Sequence, residues 1–366
     1  MRLSFLIPGP LEARTGGYEY DRQITRALRA RGVAVNVVAL DGSFPAPTDA
    51  ARAHATHVLA AVPDGALVMV DGLAFGAMAD EAAREARRLR LVALVHHPLA
   101  DETGREPHEA AALKDSETRA LAATRLAVVT SPATGRRLAD FGVPASRVLV
   151  VEPGTEPAAP ARGSEGGANG VASVHLLCVA TLIPRKGHDV LLRALAGLVD
   201  LPWRLTCVGS GDLHPPTTAA LLQFVREHGL ENRVAFAGEV DGDHIDTYYD
   251  AADVLVMPTR YEGYGMAVAE GLARGLPVVS TATGAIGDLV GADAGLLVPV
   301  DDQAALTRAL RTVIADPVAR ARLREGALRV RARLSTWDDS AARLAAALAA
   351  LTGTPSPGTE SGRGDV

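Results

Sequence analysis

The sequence predicts an α/β protein built from two doubly wound, Rossmann-like domains joined by a linker. Three observations carry that expectation. Short runs rich in Val, Leu and Ile alternate with longer Ala/Leu/Arg-rich segments of helical period over most of the 366 residues, the pattern left by βαβ units. The alternation breaks at 157–173, where "PAAPARGSEGGANGVAS" has no apolar period and reads as a linker. Glycines and charged residues also gather just after the strand candidates, at the carboxyl ends where such sheets bind ligands. The length suits two domains of roughly 100–200 residues each.

In the first domain, 1–156, strands are expected at Arg2–Ile7, Ala34–Leu40, Ala66–Val70, Leu89–Val95, Leu126–Thr130 and Val148–Val151. Helices are expected at Tyr20–Arg31, Asp80–Arg88, Glu109–Ala123 and Pro132–Phe141. The second domain, 174–336, restarts with strand "SVHLLCVA" and helix "GHDVLLRALAGLV". Strand "WRLTCVG", helix "TTAALLQFVREHG" and strands "RVAFAG" and "DVLVMP" follow. A helix near Ala267–Arg274, strands "PVVS" and "AGLLVP" and Ala/Leu/Arg-rich helices complete it. The tail 352–366, "TGTPSPGTESGRGDV", is expected to be disordered.

Composition excludes several classes. Apolar residues make up 48% of the chain and charged ones 22%, as in ordinary globular proteins. A net charge of -6 and only 4% aromatics argue against nucleic-acid binding. "MRLSFLIPGP" is apolar too briefly for a signal peptide, and no apolar run of about 18 residues predicts a membrane span. Cys178 and Cys207 lie inside strand-like runs, so inert buried thiols in a cytoplasmic protein are expected.

The strand ends hold the candidate chemistry. Gly16 and Gly17 follow the first strand and precede a helix expected to begin near Tyr18. Such a pair allows close approach to a phosphate at a helix N-terminus, or merely a flexible turn. His96 and His97 end the fourth strand. Adjacent residues point to opposite faces, so both are not expected to ligate one metal. Arg185 and Lys186, after the strand "HLLCVA", could neutralise a diphosphate, or could be ordinary solvated charges. "GSGD", starting at Gly209, is another place for close backbone approach. In "RYEGYGMAVAEGLARGLPVVS", Glu262 lies at a strand's carboxyl end and Glu270 about a turn into the next helix. Two carboxylates acting as acid and base would face each other across a substrate; on successive elements they suit two ligand hydroxyls better.

Taken together, "EGYGMAVAE", "YYDAADVLVMPTRYEGYG", "LARGLPVVSTATGAIGDLV", "RKGHDVLL", "GSGD", "RVAFAGEV" and "AGLLVP" resemble the family-four retaining glycosyltransferases, which have the GT-B fold. The likeness spans both domains and is strongest from Leu176 to Val300. It implies that Glu270 takes the ribose hydroxyls of a nucleotide-sugar donor and that Glu262 faces the transferred sugar. It implies backbone contacts from Tyr264, Gly265, Met266 and Ala267 to sugar and phosphate, Lys186 on the diphosphate, and Gly16 and Gly17 beside it. His96, rather than His97, would touch the sugar, and the backbone near Glu239 and Val240 would border the base. The relatives' helix matching Trp337–Leu351 crosses back to the first domain, where with the linker it would form a hinge for closure over the donor. One departure is Thr181, where the family usually has arginine; Arg185 is expected to supply that charge. Another is Asp288, where many relatives have glutamate.

The implied reaction is metal-independent transfer of a hexose or N-acetylhexosamine, with retention, from a nucleotide sugar to a small soluble acceptor. A UDP-sugar is expected before a GDP- or ADP-sugar, and no cofactor is needed. Polar groups for the acceptor are expected in the first domain at Glu12, Arg14, Tyr18, Tyr20, Asp21, His97, Asp101, Glu102 and Arg105. A phosphorylase or epimerase on the same fold, or a non-catalytic nucleotide-sugar-binding protein, are the alternatives.

Overall fold

The computed structural model describes residues 1–13, 15–102, 106–164, 173–240 and 242–353. Arg14, Arg105, the segment 165–172 of the expected linker and the tail 354–366 lie outside the described residues. The chain forms two units, Met1–Gly154 with Ser335–Val366, and Thr155–Leu334.

The first unit is a parallel sheet of β1 (Arg2–Pro8), β2 (Ala34–Leu40), β3 (Leu67–Asp71), β4 (Arg90–Val95), β5 (Leu126–Val129) and β6 (Val148–Val150). Their spatial order is β2-β1-β3-β4-β5-β6. β3 and β4 are almost fully buried, as Val/Leu/Met runs must be when helices cover both faces of a sheet. The helix Trp337–Thr352 belongs to this unit. It buries Trp337, Leu344 and Leu348. Trp337 meets the Tyr20 ring edge-on at 5.6 Å, and Ser340 Oγ donates to the Glu152 carbonyl at 2.6 Å.

The second unit is also a parallel sheet, of β7 (Val174–Val179), β8 (Trp203–Val208), β9 (Val234–Gly238), β10 (Val254–Met257), β11 (Val278–Thr281) and β12 (Gly295–Val298). Its order is β12-β11-β10-β7-β8-β9. The chain steps outward from β7 to β9, then returns to the other side of β7 as β10. The boundary between β7 and β10 is therefore the topological switch point, where strand-end loops diverge and leave room for a ligand.

Several boundaries differ from expectation for local reasons. The first helix starts at Gly16, capped by extended Thr15, so both glycines form its first turn instead of preceding it. Pro132–Phe141 divides into an α-helix, Pro132–Arg137, and a 3-10 turn, Leu138–Phe141, which stops at Gly142 with φ 71°. Helices Asp49–Ala60 and Gly72–Phe75 carried little signal, because the first faces the core largely through Ala51 and Ala55 and the second has four residues. The described part of the expected linker is fastened to the second unit. Ala161 N donates to Arg274 O at 2.8 Å, Gly163 N to Asp250 O at 2.9 Å, and Ser164 N to Asp253 Oδ1 at 3.0 Å.

Candidate functional site

At the switch point of the second unit, the loop after β7 tightens into the 3-10 turn Pro184–Lys186 and reverses at Gly187, φ 70°. Only glycine fits there: a Cβ would lie 2.0 Å from the Pro258 carbonyl oxygen. This contact presses the cationic turn against the end of β10. Lys186 Nζ meets Glu262 Oε2 at 2.6 Å, each side chain about one-sixth exposed (15% and 16%). Glu262 is held from behind, since Ala285 N donates to its carbonyl at 3.3 Å and a Cβ on Gly284 would stand 1.7 Å from the same oxygen. Arg260 adds a brace, pairing with Asp189 at 3.0 Å and Asp301 at 2.8 Å.

Arg185, expected to supply the charge missing at Thr181, is engaged with backbone on the neighbouring loop. Its Nη1 donates to the Tyr261 carbonyl at 3.1 Å, and its own carbonyl accepts from Arg260 N at 2.8 Å. It bridges the two strand-end loops. Gly209 lets the chain approach itself closely: at φ 151° its Cβ would fall 2.2 Å from the Ala180 carbonyl oxygen and 2.8 Å from Thr181 N.

Gly265, φ 98°, opens the helix Met266–Ala273, whose first N–H groups have no intrahelical acceptor. A Cβ on Gly265 would press within 2.7 Å of Ile286 Cδ1. Tyr264 is buried, while Met266 and Ala267 are half-buried. Glu270 in that helix accepts a 2.7 Å hydrogen bond from the fully buried Tyr249 hydroxyl. Burial first, then the Glu270 carboxylate, holds the Tyr249 phenol far above its ordinary range, so it stays a donor. Glu262 and Glu270 are thus tied to different partners. Val240, half-buried after β9, packs against the core.

The first unit gathers a second cluster at the ends of β1, β3 and β4. His96 follows β4, and its Nε2 lies 3.3 Å from Asp21 Oδ1 and 3.2 Å from Asp71 Oδ2. Asp71 closes β3, with its other oxygen accepting from Leu73 N at 2.8 Å. A Cβ on Gly17 would approach His96 Cδ2 to 3.3 Å, so Gly17 lets the first helix pass close to the ring, whereas Gly16 faces open space. Burial lowers the imidazole's proton affinity, but Asp21 and then Asp71 outweigh it and lift the group to about 10. Burial, then Asp71, pushes Asp21 up to about 6.

The polar residues expected to meet an acceptor divide. Asp21 is 1% exposed and turned to His96, so it does not line a surface. Tyr20 is buried with its hydroxyl on the Val151 carbonyl at 3.1 Å. The Tyr18 hydroxyl donates to the Pro8 carbonyl. Burial, then Asp71 and Asp21, raises it to about 12. His97 turns away from His96 and meets Glu102 at 3.0 Å. Asp101 pairs with Arg137 at 2.7 Å. Asp21, Asp71 and His96 are the one metal-capable grouping among the described residues, with ligand atoms within 4.8 Å of one another.

Asp71 and Tyr249 were not expected at either cluster. The signal for Asp71 is a carboxylate ending the otherwise apolar run "LVMVD". Tyr249 reaches Glu270 across 21 residues of sequence, and no local pattern marks that pairing.

Residues 173–316 match the family described as glycosyl transferases group 1. Among curated proteins, the D-inositol 3-phosphate glycosyltransferase of Kineococcus radiotolerans is 35% identical over 226 residues, 54% of this chain and 51% of that one. The chain thus spans about half the length of that relative. Among solved structures, sucrose-phosphate synthase from Thermosynechococcus elongatus superimposes with a TM-score of 0.81 at 21% identity, covering 96% of this chain and 100% of the other. Anabaena HepE in complex with UDP-glucose gives 0.72 at 18% identity, covering 95% and 99%. Residues 173–316 are thus similar to the glycosyl transferases group 1 family, and the chain that carries them has the GT-B fold.

Proposed function

We propose that the protein transfers a hexosyl or N-acetylhexosaminyl group from a nucleoside diphosphate sugar to a hydroxyl of a small acceptor, with retention and without a metal ion. The observation that carries this reading is the Lys186–Glu262 pair at the β7/β10 switch point, with Glu270 in the next helix, all inside 173–316. Lys186 exchanges its carboxylate partner for the donor diphosphate, and Glu262 turns to a sugar hydroxyl. Glu270, aimed by Tyr249, accepts from the ribose hydroxyls. The free N–H groups opening the helix Met266–Ala273 bind phosphate or sugar oxygens.

Chemically, the bond between the anomeric carbon and the diphosphate oxygen breaks, and the acceptor oxygen bonds to that carbon from the same face. The acceptor's proton passes to an oxygen of the departing nucleoside diphosphate. Lys186 and the helix-start amides stabilise the charge growing on the leaving group. Neither glutamate becomes covalently attached to sugar. UDP is the first nucleotide to try, since HepE is known bound to UDP-glucose. A phosphorylated cyclitol is the first acceptor, following the name of the Kineococcus relative.

Incubation with UDP-, GDP- and ADP-sugars and inositol phosphates, followed by NMR of the product's anomeric signal, tests the proposal. Transfer with the donor's configuration kept is expected. An inverted product, or a glycosyl-enzyme trapped at Glu262 or Glu270 of the wild type and lost in the matching E262Q or E270Q, would contradict it.

A further inference from the structure

We infer that His96 works as a fixed cationic hydrogen-bond donor, with Asp21 and Asp71 as the positioning residues that keep it protonated. The geometry begins with two carboxylates from different elements, one on the helix Gly16–Ala30 and one ending β3, meeting the same ring nitrogen. Nε2 lies almost equally far from both, 3.3 and 3.2 Å. Nε2 and Asp21 Oδ1 are sealed from solvent, yet neither makes a well-aligned hydrogen bond. An N–H directed between two carboxylates, shared by both, accounts for this arrangement. The ring is wedged in place: Gly17 closes on its Cδ2 flank, and Tyr20 packs edge-on at 5.3 Å.

The His96 side chain is 17% exposed. Because Nε2 is sealed, that exposure belongs to the rest of the ring, and Nδ1 has no hydrogen-bond partner among the described residues. An imidazolium held this way offers its Nδ1–H outward and has no lone pair at either nitrogen to take up a proton. Its ligand is therefore a substrate oxygen, a hydroxyl or one gaining negative charge, and not a proton to be abstracted. This rests on the transfer chemistry proposed above.

Among the described residues, the titratable groups around the ring are few. Tyr18, Tyr20, Asp21 and Arg22 come from the first helix, and Asp71 from β3. Among the described residues, the segment following β5 places the Thr130 and Thr134 hydroxyls on the His96 carbonyl at 3.2 and 3.4 Å. His97, next in sequence, is occupied by Glu102. With a folded value of about 10 against an unfolded 6.5, the ring's charge stabilises the fold up to pH 6.5 and is lost as pH rises through 10. Between Asp21's value of about 6 and that limit, the rate owes no pH dependence to His96.

Side-chain nitrogen NMR of the free protein, with His96 assigned by loss of its signal in H96Q, reads the charge directly. An imidazolium spectrum from pH 6.5 to 9 is expected. In D71N the asparagine oxygen still accepts from Leu73 N, but one charge is gone. His96 should then titrate nearer 6.5, and kcat/KM at pH 8.5 should fall about tenfold below its value at pH 6, while the wild type stays flat. A neutral imidazole at pH 7.5 in the wild type would overturn the inference. So would a stoichiometric divalent ion held by the three side chains, or a pH profile in D71N as flat as the wild type's. An imidazolium spectrum without turnover of any nucleotide sugar would support the charge assignment while contradicting the transfer reading.

Discussion

Lys186 and Glu262 share one short ion pair in a half-buried setting, so removing either leaves the other charge poorly solvated. On the proposed chemistry K186A also removes the cation that meets the leaving-group charge, and kcat/KM should fall about 10²–10³-fold, measured as nucleotide release. Tyr249 acts one step further out. It touches Glu270 and the Ala267 carbonyl, at 2.7 and 3.3 Å, from a fully buried position. Its loss in Y249F should raise the donor KM about 3–10-fold with kcat nearly unchanged, the size expected for one hydrogen bond to a charged group. An equal loss in kcat would mean that Tyr249 supports the fold of the loop more than the aim of Glu270. At this scale the sequence was partly legible. Glu262, Glu270, Lys186 and His96 stand out because they sit at strand ends or in a spaced motif. The Arg185 hydrogen bond to the Tyr261 carbonyl was not legible, since charge alone does not say whether a guanidinium faces solvent or a backbone carbonyl in a distant loop.

The loops that present these side chains depend on close backbone approaches at particular glycines. Alanine at Gly187 would need both a left-handed conformation and displacement of the Pro258 carbonyl. G187A should lose about 1–3 kcal/mol or more of stability in denaturant titration of the second unit, with weakened donor binding. In the first unit, the turn Leu99–Asp101 is fastened to the helix Pro107–Ala122 because Leu99 N donates to buried Glu117 at 2.9 Å. Burial, and then the charge of Asp101, raises Glu117 to about 8 in spite of that bond. A carboxyl whose folded value exceeds its unfolded 4.5 binds more protons folded, so its contribution to stability falls as pH rises from about 4.5 to 8. E117Q, which imitates the protonated form, should therefore raise Tm by several degrees at pH 8 and by little near pH 5. The reverse order would show Glu117 ionised in the folded protein. Strand positions were readable to within a residue or two, because buried parallel strands leave continuous apolar runs. The alanine-faced helix Asp49–Ala60 was not, since small side chains write a faint period.

Over the whole molecule, the first unit is discontinuous in sequence, completed by Ser335–Val366 after the chain has built the second. Gly154 marks how tightly the return is seated: a Cβ there would lie 2.1 Å from Trp337 N. Cutting the chain after Leu334 would strip Trp337, Leu344 and Leu348 from the first unit. Calorimetry of the shortened chain should show the first unit's transition lowered or gone and the second unit's nearly unchanged. The alternation of strands and helices made two parallel sheets legible, but the strand orders were not, because pairing across β1/β3 and β7/β10 joins segments far apart in sequence. Nucleotide-sugar-dependent transfer remains the central claim, and binding tests it most directly. Isothermal titration of the wild type, K186A and E270Q with UDP-, GDP- and ADP-sugars should give saturable one-to-one binding of one donor class, weakened in both variants. No binding of any donor by the wild type, or equal affinity in all three proteins, would contradict it.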